Sequence, residues 1–506
     1  MDQNQDKNTV LIIYPATFKF PGLHIGIASL SSALKKNGYH VKVFDTVFYD
    51  LLGEQDWNRL RSDRLMSKKI VNEDEHWKVK TTGMKEDLIK VLDECKPKIV
   101  GISMTEPVYD LSLQLSRIVK QHCKDAIVTA GGVFPTLSPD IVITENSIDV
   151  VCVGEGELAL PELCDRIYQK KDFFDIPGMW VKNSGKIYKN SPAKLQNINE
   201  LPHPDFSVFD EPIFYKAMQG RLYKMVSIET SRGCPYNCSY CASPELKSFS
   251  FKNEIGSYYR NLDMKRVIEQ IHYQIDKHSP EFIYFSSETF LAMSKNDFDM
   301  FVEEYKKIKI PFWFQTRFET ITEKRIKALK DAGMFWLTLG IEHGNEEFRK
   351  KILKRACPDK TIIEGARILT KCGAGASLNN MMGMPFENRE LIFDTIKLNK
   401  KLFEMNNKFE SNIFMFVPYK GTELYEACRQ SGLLPQENYS MAHTLNSLSD
   451  ESILDFPEEY KRELKGLLKT FNLYIKLPEK YWPEIKIAER SDEEGNATFN
   501  RLSKLL

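Results

Sequence analysis

Two successive runs of short apolar segments, alternating with amphipathic ones and separated by a proline-bearing stretch, limit this chain to a small set of folds. In the first run NTVLIIY (8–14), HVKVFD (40–45), KPKIVGISM (96–104), AIVTAGG (126–132) and VVCVGEG (150–156) read as strands buried on both faces. Between them, LHIGIASLSSALKKNG (23–38) and LSLQLSRIVKQHC (111–123) place apolar residues at helical spacing. Strand–helix alternation of this kind predicts an α/β unit with a doubly wound, Rossmann-like parallel sheet. The second run holds MVSIET (225–230), FIYFSS (282–287), FWFQT (312–316), FWLTLGIE (335–342), ASLNNMMG (376–383) and SNIFMFV (411–417), again with helical stretches between them. Six such repeats fit a partial, TIM-like (β/α)6 barrel with its site at the carboxyl-terminal face.

The remaining segments set the domain division. GMWVKNSGKIYK (178–189) reads as a hairpin around Asn183-Ser184-Gly185, and LPHPDFSVFDEP (201–212) as a linker, so residues 171–215 are expected to be a connector. Residues 50–84 are polar and charged, and predict an insertion or a loosely packed helix pair. The end of the chain, including EEYKRELKGLLKTFNLYIK (458–476), predicts a small helical region. The division is therefore 1–170, 171–215, 216–445 and 446–506, consistent with the about three domains that 506 residues allow.

Charge and composition exclude several classes of partner. Lysine plus arginine (70) equals aspartate plus glutamate (70), so no net field draws nucleic acid or an anionic membrane. No apolar run approaches the ~20 residues that cross a bilayer, and MDQNQDKN lacks the layout of a signal peptide. The expected location is the cytoplasm, where a tight cysteine cluster favours metal over disulfide.

One such cluster exists. SRGCPYNCSYCAS (231–243) spaces Cys234, Cys238 and Cys241 as Cys-x3-Cys-x2-Cys directly after the first barrel strand. Cysteine sulfur holds iron–sulfur cubanes, and three ligands leave one iron open to a small molecule. A zinc site would show a second cysteine pair or added histidines; the nearest histidines are His203 and His272. The other seven cysteines are scattered and read as structural thiols. In the first run the strand ends YPATFKFPGLH, SMTEP, AGGVFPT and VGEGE are expected to form a ligand face, since open α/β sheets bind beyond their carboxyl edges. Gly131, Gly132, Gly154 and Gly156 let backbone approach a ligand; each alone reads rather as a turn residue, and it is the four loops on one edge that favour a binding face.

RGCPYNCSYCAS, with aromatic Tyr240 before its third cysteine, resembles the cluster loop of the radical S-adenosylmethionine superfamily. FSSETF (285–290), FWFQTR (312–317), LTLGIEHGNEE (337–347), NMMGMPFE (380–387) and FVPYKGTELYE (416–426) resemble its later strand ends, in order. AGGVFPTLSPD and VGEGELALPEL resemble the cobalamin-binding domain joined to one large subfamily. The resemblance implies a 4Fe-4S cluster on the three cysteines, with S-adenosylmethionine (SAM) contacting Tyr240, Glu288, Arg317, Glu342 and Gly383. It implies cobalamin against Thr105, Glu106, Gly131, Gly132, Val133, Phe134, Thr136, Gly154, Glu155 and Gly156. The Asp-x-His-x-x-Gly motif that supplies a cobalt ligand is missing, and His24 reads as a helix-start residue.

The implied chemistry is reductive cleavage of SAM to a 5′-deoxyadenosyl radical, fed by an electron donor such as flavodoxin or ferredoxin. Methylation of an unactivated carbon, or of phosphorus, in a small-molecule or lipid substrate is the expected outcome. A tetrapyrrole-cyclase-like ring formation is the alternative, and a non-catalytic cobalamin or redox sensor a second one. Several accessory residues also admit structural roles. Glu342 could cap a helix, Arg317 could pair with Glu319 or Glu342, and Gly383 could be a turn residue. Which of Phe312, Trp313, Phe414 and Phe416 face the barrel interior is open.

Overall fold

The computed structural model describes residues 8–16, 23–51, 57–435 and 451–506. Its first sheet contains β1 (Thr9–Tyr14), β2 (His40–Asp45), β3 (Ile99–Ser103), β4 (Ile127–Gly131), β5 (Val150–Cys152), β6 (Met179–Asn183) and β7 (Lys186–Lys189). The order is β2-β1-β3-β4-β5-β6-β7. β1 to β5 run parallel, as their continuous apolar character predicts, with helices packed on both faces. The hairpin expected in the connector instead extends this sheet, since β6 pairs antiparallel with β5. Its alternation explains why: Met179 (0% exposed) and Val181 (1%) carry an apolar face that must be buried.

The second sheet has the order β16-β15-β14-β13-β12-β9-β8. The edge strand β8 (Tyr215–Met218) pairs antiparallel with β9 (Arg221–Ile228) through a turn where Gln219 and Gly220 both have positive φ, 52° and 84°. Then follow β12 (Phe282–Phe285), β13 (Phe312–Thr316), β14 (Met334–Glu342), β15 (Gly375–Met382) and β16 (Phe409–Met415), all parallel to β9. These six are the expected barrel strands; β8 is additional. A two-stranded ribbon, β10 (Ser231–Arg232) with β11 (Arg260–Asn261), pins the start of the cysteine loop.

Residues 57–77 are not a loose helix pair. They form a strap across the open seam of the curled sheet. Arg61 donates to Asn412 on β16 (3.1 Å), and the Val71 amide donates to the Gly220 carbonyl (3.0 Å). Asn72 accepts from the Leu222 amide (2.8 Å), and His76 stacks on Tyr215 with centroids 3.7 Å apart. Buried Met66 and Trp77 anchor the strap. The terminal helices Glu458–Lys476, Trp482–Ala488 and Glu493–Ser503 pack together over β16 and the helix Arg389–Met405. Among the described residues no helix is long and apolar enough to cross a membrane. The expected boundary at 445/446 falls on residues 436–450, outside the described residues.

Candidate active site

The carboxyl edges of the two sheets face one another, and the site lies between them. On the first sheet a cavity of about 220 Å³ opens beyond β1, β3, β4 and β5. Gly131, Gly132, Gly154, Glu155 and Gly156 line it, together with His24, Gly101 and Ser103. The backbone explains the glycines: Gly132 (φ 120°) and Gly154 (φ 107°) hold conformations closed to L side chains, and a Cβ on Gly132 would lie 2.6 Å from the Met104 carbonyl oxygen. A shaped void with a backbone floor fits the tail of a large ligand. Thr105, Glu106, Val133, Phe134 and Thr136 do not line this cavity. Phe134 is buried edge-on against Tyr109, whereas Val133 is 43% exposed. Thr136 donates to the Gly132 carbonyl (2.8 Å) and accepts from the Gly154 amide (3.1 Å), tying two strand-end loops together. Glu106 accepts from the Lys420 amide in the loop after β16 (2.9 Å), a contact between the two units. His24 caps the helix Ile25–Lys36 by accepting from the Ile27 amide (3.2 Å), as expected. Burial lowers its pKa to about 4, so its imidazole is neutral.

The cysteine loop abuts this cavity. Arg232, two residues before Cys234, lines its wall, as does Glu229. Arg232 lies 2.7 Å from Glu157, 3.1 Å from Glu229 and 3.3 Å from Glu155, and Arg260 bonds Glu155 as well. Burial opposes the Arg232 charge, but the three carboxylates more than offset it and hold its pKa above the ordinary value. Burial pushes Glu229 up, only partly opposed by Arg232. Glu155, predicted to contact cofactor, thus also latches the first unit to the barrel.

Each of the three thiols meets a donor. Cys234 is within hydrogen-bond reach of the Tyr236 amide and Thr289 hydroxyl. Cys241 accepts from the Ser243 amide (3.5 Å), and Cys238 from Arg317 Nη1 (3.4 Å). Donors to sulfur stabilise thiolate ligands and tune a cluster. Among the described residues no three His, Cys, Asp or Glu side chains converge on one ion.

Around the thiols the predicted residues gather unevenly. Tyr240 is within hydrogen-bond reach of Glu342 and Cys238. Glu342 sits past a bulge in β14 with φ 70°, a left-handed backbone costing about 1–3 kcal/mol that aims its carboxylate inward. Burial pushes its pKa up, opposed by Arg355 at 4.0 Å. Arg317 pairs with Glu319 (2.6 Å), as one expected alternative had it, yet it is only 7% exposed and lies 3.8 Å from the Tyr236 ring centre. Glu288 follows β12 at the site, its pKa raised by burial; burial also raises Cys234 and Cys241, to which nearby Glu288 adds. Gly383 follows β15 and packs against Met415 and Leu464. Its amide donates to Glu387 (2.5 Å), whose other oxygen is 3.1 Å from His343, and a Cβ there would meet Met415 at 2.7 Å. Sequence reasoning missed Arg355 and Tyr419, the last near both Glu106 and Cys241. Arg232 was visible inside the quoted cysteine motif.

Comparison with known proteins agrees with this layout. Residues 228–398 match the family model of the Radical SAM superfamily, and residues 69–164 that of the B12 binding domain. An uncharacterized methyltransferase of Pyrococcus horikoshii is 30% identical over 366 residues, 71% of this chain and 75% of the relative. The chain belongs to the cobalamin-binding radical SAM enzymes. A hopanoid C-3 methylase of Methylococcus capsulatus is 24% identical over 67% of this chain and 62% of its own. Among solved structures, the cobalamin-dependent SAM radical enzyme OxsB with aqua-cobalamin and SAM bound has a TM-score of 0.67 at 16% identity, covering 98% of this chain and 71% of that one. TsrM from Kitasatospora setae, a radical SAM methyltransferase with cobalamin and a 4Fe-4S cluster bound, has a TM-score of 0.62 at 14% identity, covering 99% and 100%. This radical SAM enzyme therefore uses a 4Fe-4S cluster, SAM and cobalamin.

Proposed function

We propose that this enzyme transfers a methyl group to an unactivated carbon, or to phosphorus, of a small-molecule or lipid substrate. The observation carrying this reading is the shared wall: Arg232 and Glu229 border the first sheet's cavity while Cys234 lies two residues beyond Arg232. Cobalamin held there would stand at the mouth of the cluster site, where it supplies a relayed methyl group to a substrate radical. The relatives' names, a methyltransferase and a methylase, support the same reading.

In this reading Cys234, Cys238 and Cys241 hold three irons, and the fourth iron receives SAM. Glu288, Glu342 and Tyr240 orient the bound molecule, Arg317 steadies Cys238, and Gly383 shapes the outer wall. Gly131, Gly132, Gly154 and Gly156 cradle cobalamin with backbone. Burial pushes the pKa of both carboxyls up, and a cationic amino group placed beside Glu288 would favour its ionised form. We read the cobalamin unit as ending near residue 170, extended by the hairpin, and the radical unit as spanning about 216–445. A cytoplasmic flavodoxin or ferredoxin supplies the electron.

Methyl-deuterated SAM tests the reading with no substrate identified. The anaerobically reduced holoenzyme is expected to form both 5′-deoxyadenosine and S-adenosylhomocysteine. Formation of 5′-deoxyadenosine with no S-adenosylhomocysteine would favour the cyclase-like alternative; neither product would leave only the sensor.

A further inference from the structure

His343 stands directly after Glu342, between β14 and the helix Glu346–Lys351, and is fully buried. Its ring stacks on Phe348 with centroids 4.2 Å apart, and its carbonyl accepts from Arg349 Nη1 (2.7 Å). Nδ1 accepts from the Asn345 amide (3.0 Å), so the ring proton sits on Nε2. That nitrogen lies 3.1 Å from Oε1 of Glu387, whose side chain is equally buried. Glu387 belongs to the next loop, after β15, and its other oxygen accepts from the amides of Gly383 (2.5 Å) and Met384 (3.1 Å). Nε2 and Oε1 face one another off the hydrogen-bond line, and neither has another partner among the described residues.

Each member of this pair is preceded by a residue in the left-handed region, Glu342 at φ 70° and Phe386 at φ 67°. Such a backbone is strained for a residue with a Cβ and persists only where its surroundings over-determine it. The Phe386 side chain is 59% exposed, so its own burial does little to hold that conformation. Its neighbours hold it instead. The Glu387 carboxylate ties back to Gly383 and Met384, and the Glu387 carbonyl accepts from the Tyr460 hydroxyl (3.1 Å). On the His343 side, the Gly344 amide donates to Thr395 Oγ1 (2.8 Å) and Asn345 Nδ2 to Asp394 (2.8 Å). Both partners lie on the helix Arg389–Met405, which follows the Glu387 loop. Two adjacent strand-end loops are thereby locked together around one buried polar pair. Stability alone does not call for such a pair, since apolar residues of similar volume often replace one without loss.

We propose that His343 and Glu387 are positioning residues for SAM. If Glu342 and Gly383 contact SAM as read above, the pair fixes the loops after β14 and β15 in register, so that the inward carboxylate and the Gly383 backbone meet the bound molecule together. His343 acts through Glu342, and Glu387 through the Gly383 and Met384 amides.

Titration of SAM into the full-length, anaerobically reconstituted and reduced holoenzyme tests this, read by the SAM-induced change in the electron paramagnetic resonance spectrum of the cluster. Variants are compared at full cluster occupancy. Glu387→Gln keeps an acceptor for the two amides but sets an N–H against the imidazole N–H; His343→Phe keeps the stacked ring and removes the donor. Each is expected to weaken SAM binding on the order of tenfold. The double variant should bind no more weakly than the weaker single one, the mark of a coupled pair. Unchanged SAM affinity in both single variants overturns the proposal, whatever their melting temperatures, and so does an additive loss in the double. Hydrogen exchange on the unmutated enzyme gives an arm that needs no variant: SAM should protect residues 342–345 and 383–387 together, and protection of the first segment without the second overturns the coupling. Glu342→Gln scores the contact itself. Affinity lost there but kept in both pair variants would sink only the pair; affinity kept in Glu342→Gln would sink the reading of Glu342 and this proposal with it.

Discussion

The cavity on the first sheet and a chamber of about 370 Å³ inside the curled barrel sheet are both built on parallel strands, yet they are lined by different parts of the chain. The first presents backbone, with glycines at 101, 131, 132, 154 and 156. The second presents side chains: indoles, amides, two lysines and an arginine. The difference follows from how each sheet is closed. An open doubly wound sheet binds beyond its strand ends, where loops turn sharply and side chains would crowd the ligand. A curled sheet points alternate side chains inward along every strand, so its interior is written in residues. A cofactor that brings its own chemistry needs the first kind of surface; a molecule that must be selected needs the second.

The two regions should therefore fail independently. The largest effect is expected from Cys238→Ala, which removes a buried thiol that accepts from Arg317. Cluster absorption and all 5′-deoxyadenosine formation should be lost while corrinoid uptake persists; retained cluster at full occupancy would remove the assignment of this loop. Gly132→Ala should do the opposite. Its Cβ would lie 2.6 Å from the Met104 carbonyl oxygen at φ 120°, a conformation costing about 1–3 kcal/mol. Corrinoid uptake should fall on the order of tenfold or more with the cluster intact, and normal uptake would show that the glycine floor does not contact the cofactor.

How much of this was legible in the sequence also differs between the regions. Both strand sets were readable because parallel strands buried on two faces are continuous apolar runs, and the cysteine spacing named its loop. Gly132 and Gly154 were readable as special backbone positions because positive φ restricts residue identity. Its neighbours were not: Val133, Phe134 and Thr136 follow Gly132 in sequence, but a helix begins at Val133 and turns them away from the cavity. In the barrel, alternation separates Trp313, which lines the chamber, from Phe312, which is buried outside it; Phe414 also lines the chamber, while Phe416 lies past the end of β16 and is buried elsewhere. The strap across the seam, edge strand β8 and the Arg355–Glu342 pair depend on contacts between distant segments, and nothing local in the sequence marks them.

Where the regions meet, a smaller effect should sharpen the comparison. Arg232 stands among Glu155, Glu157 and Glu229, and its removal leaves three carboxylates facing one another. Breaking a buried ion pair by deleting one partner costs about 3–5 kcal/mol. Arg232→Met should lower the melting temperature and slow S-adenosylhomocysteine formation more than 5′-deoxyadenosine formation, because the first requires the two units in register. Adding Glu157→Gln should recover part of the loss, as a coupled pair does in a double-mutant cycle. Simple additivity would mean that the latch carries no coupling.

The smallest effect is confined to acid and to the first unit. His24 borders the backbone-lined cavity and caps a helix through its imidazole, and burial lowers its pKa from 6.5 to about 4. Because the folded value lies below the unfolded one, the neutral imidazole's contribution is complete above pH 6.5 and is lost as pH falls through 6.5 toward 4. At about 1.4 kcal/mol per pKa unit, the loss at pH 4 is on the order of 3 kcal/mol. His24→Asn keeps a capping side chain without a titrating group. Its melting temperature should match the parent near neutrality and fall less steeply below pH 6. If the parent and His24→Asn lose stability in parallel between pH 6.5 and 4, the acid sensitivity belongs to other groups and the imidazole acts only as a cap.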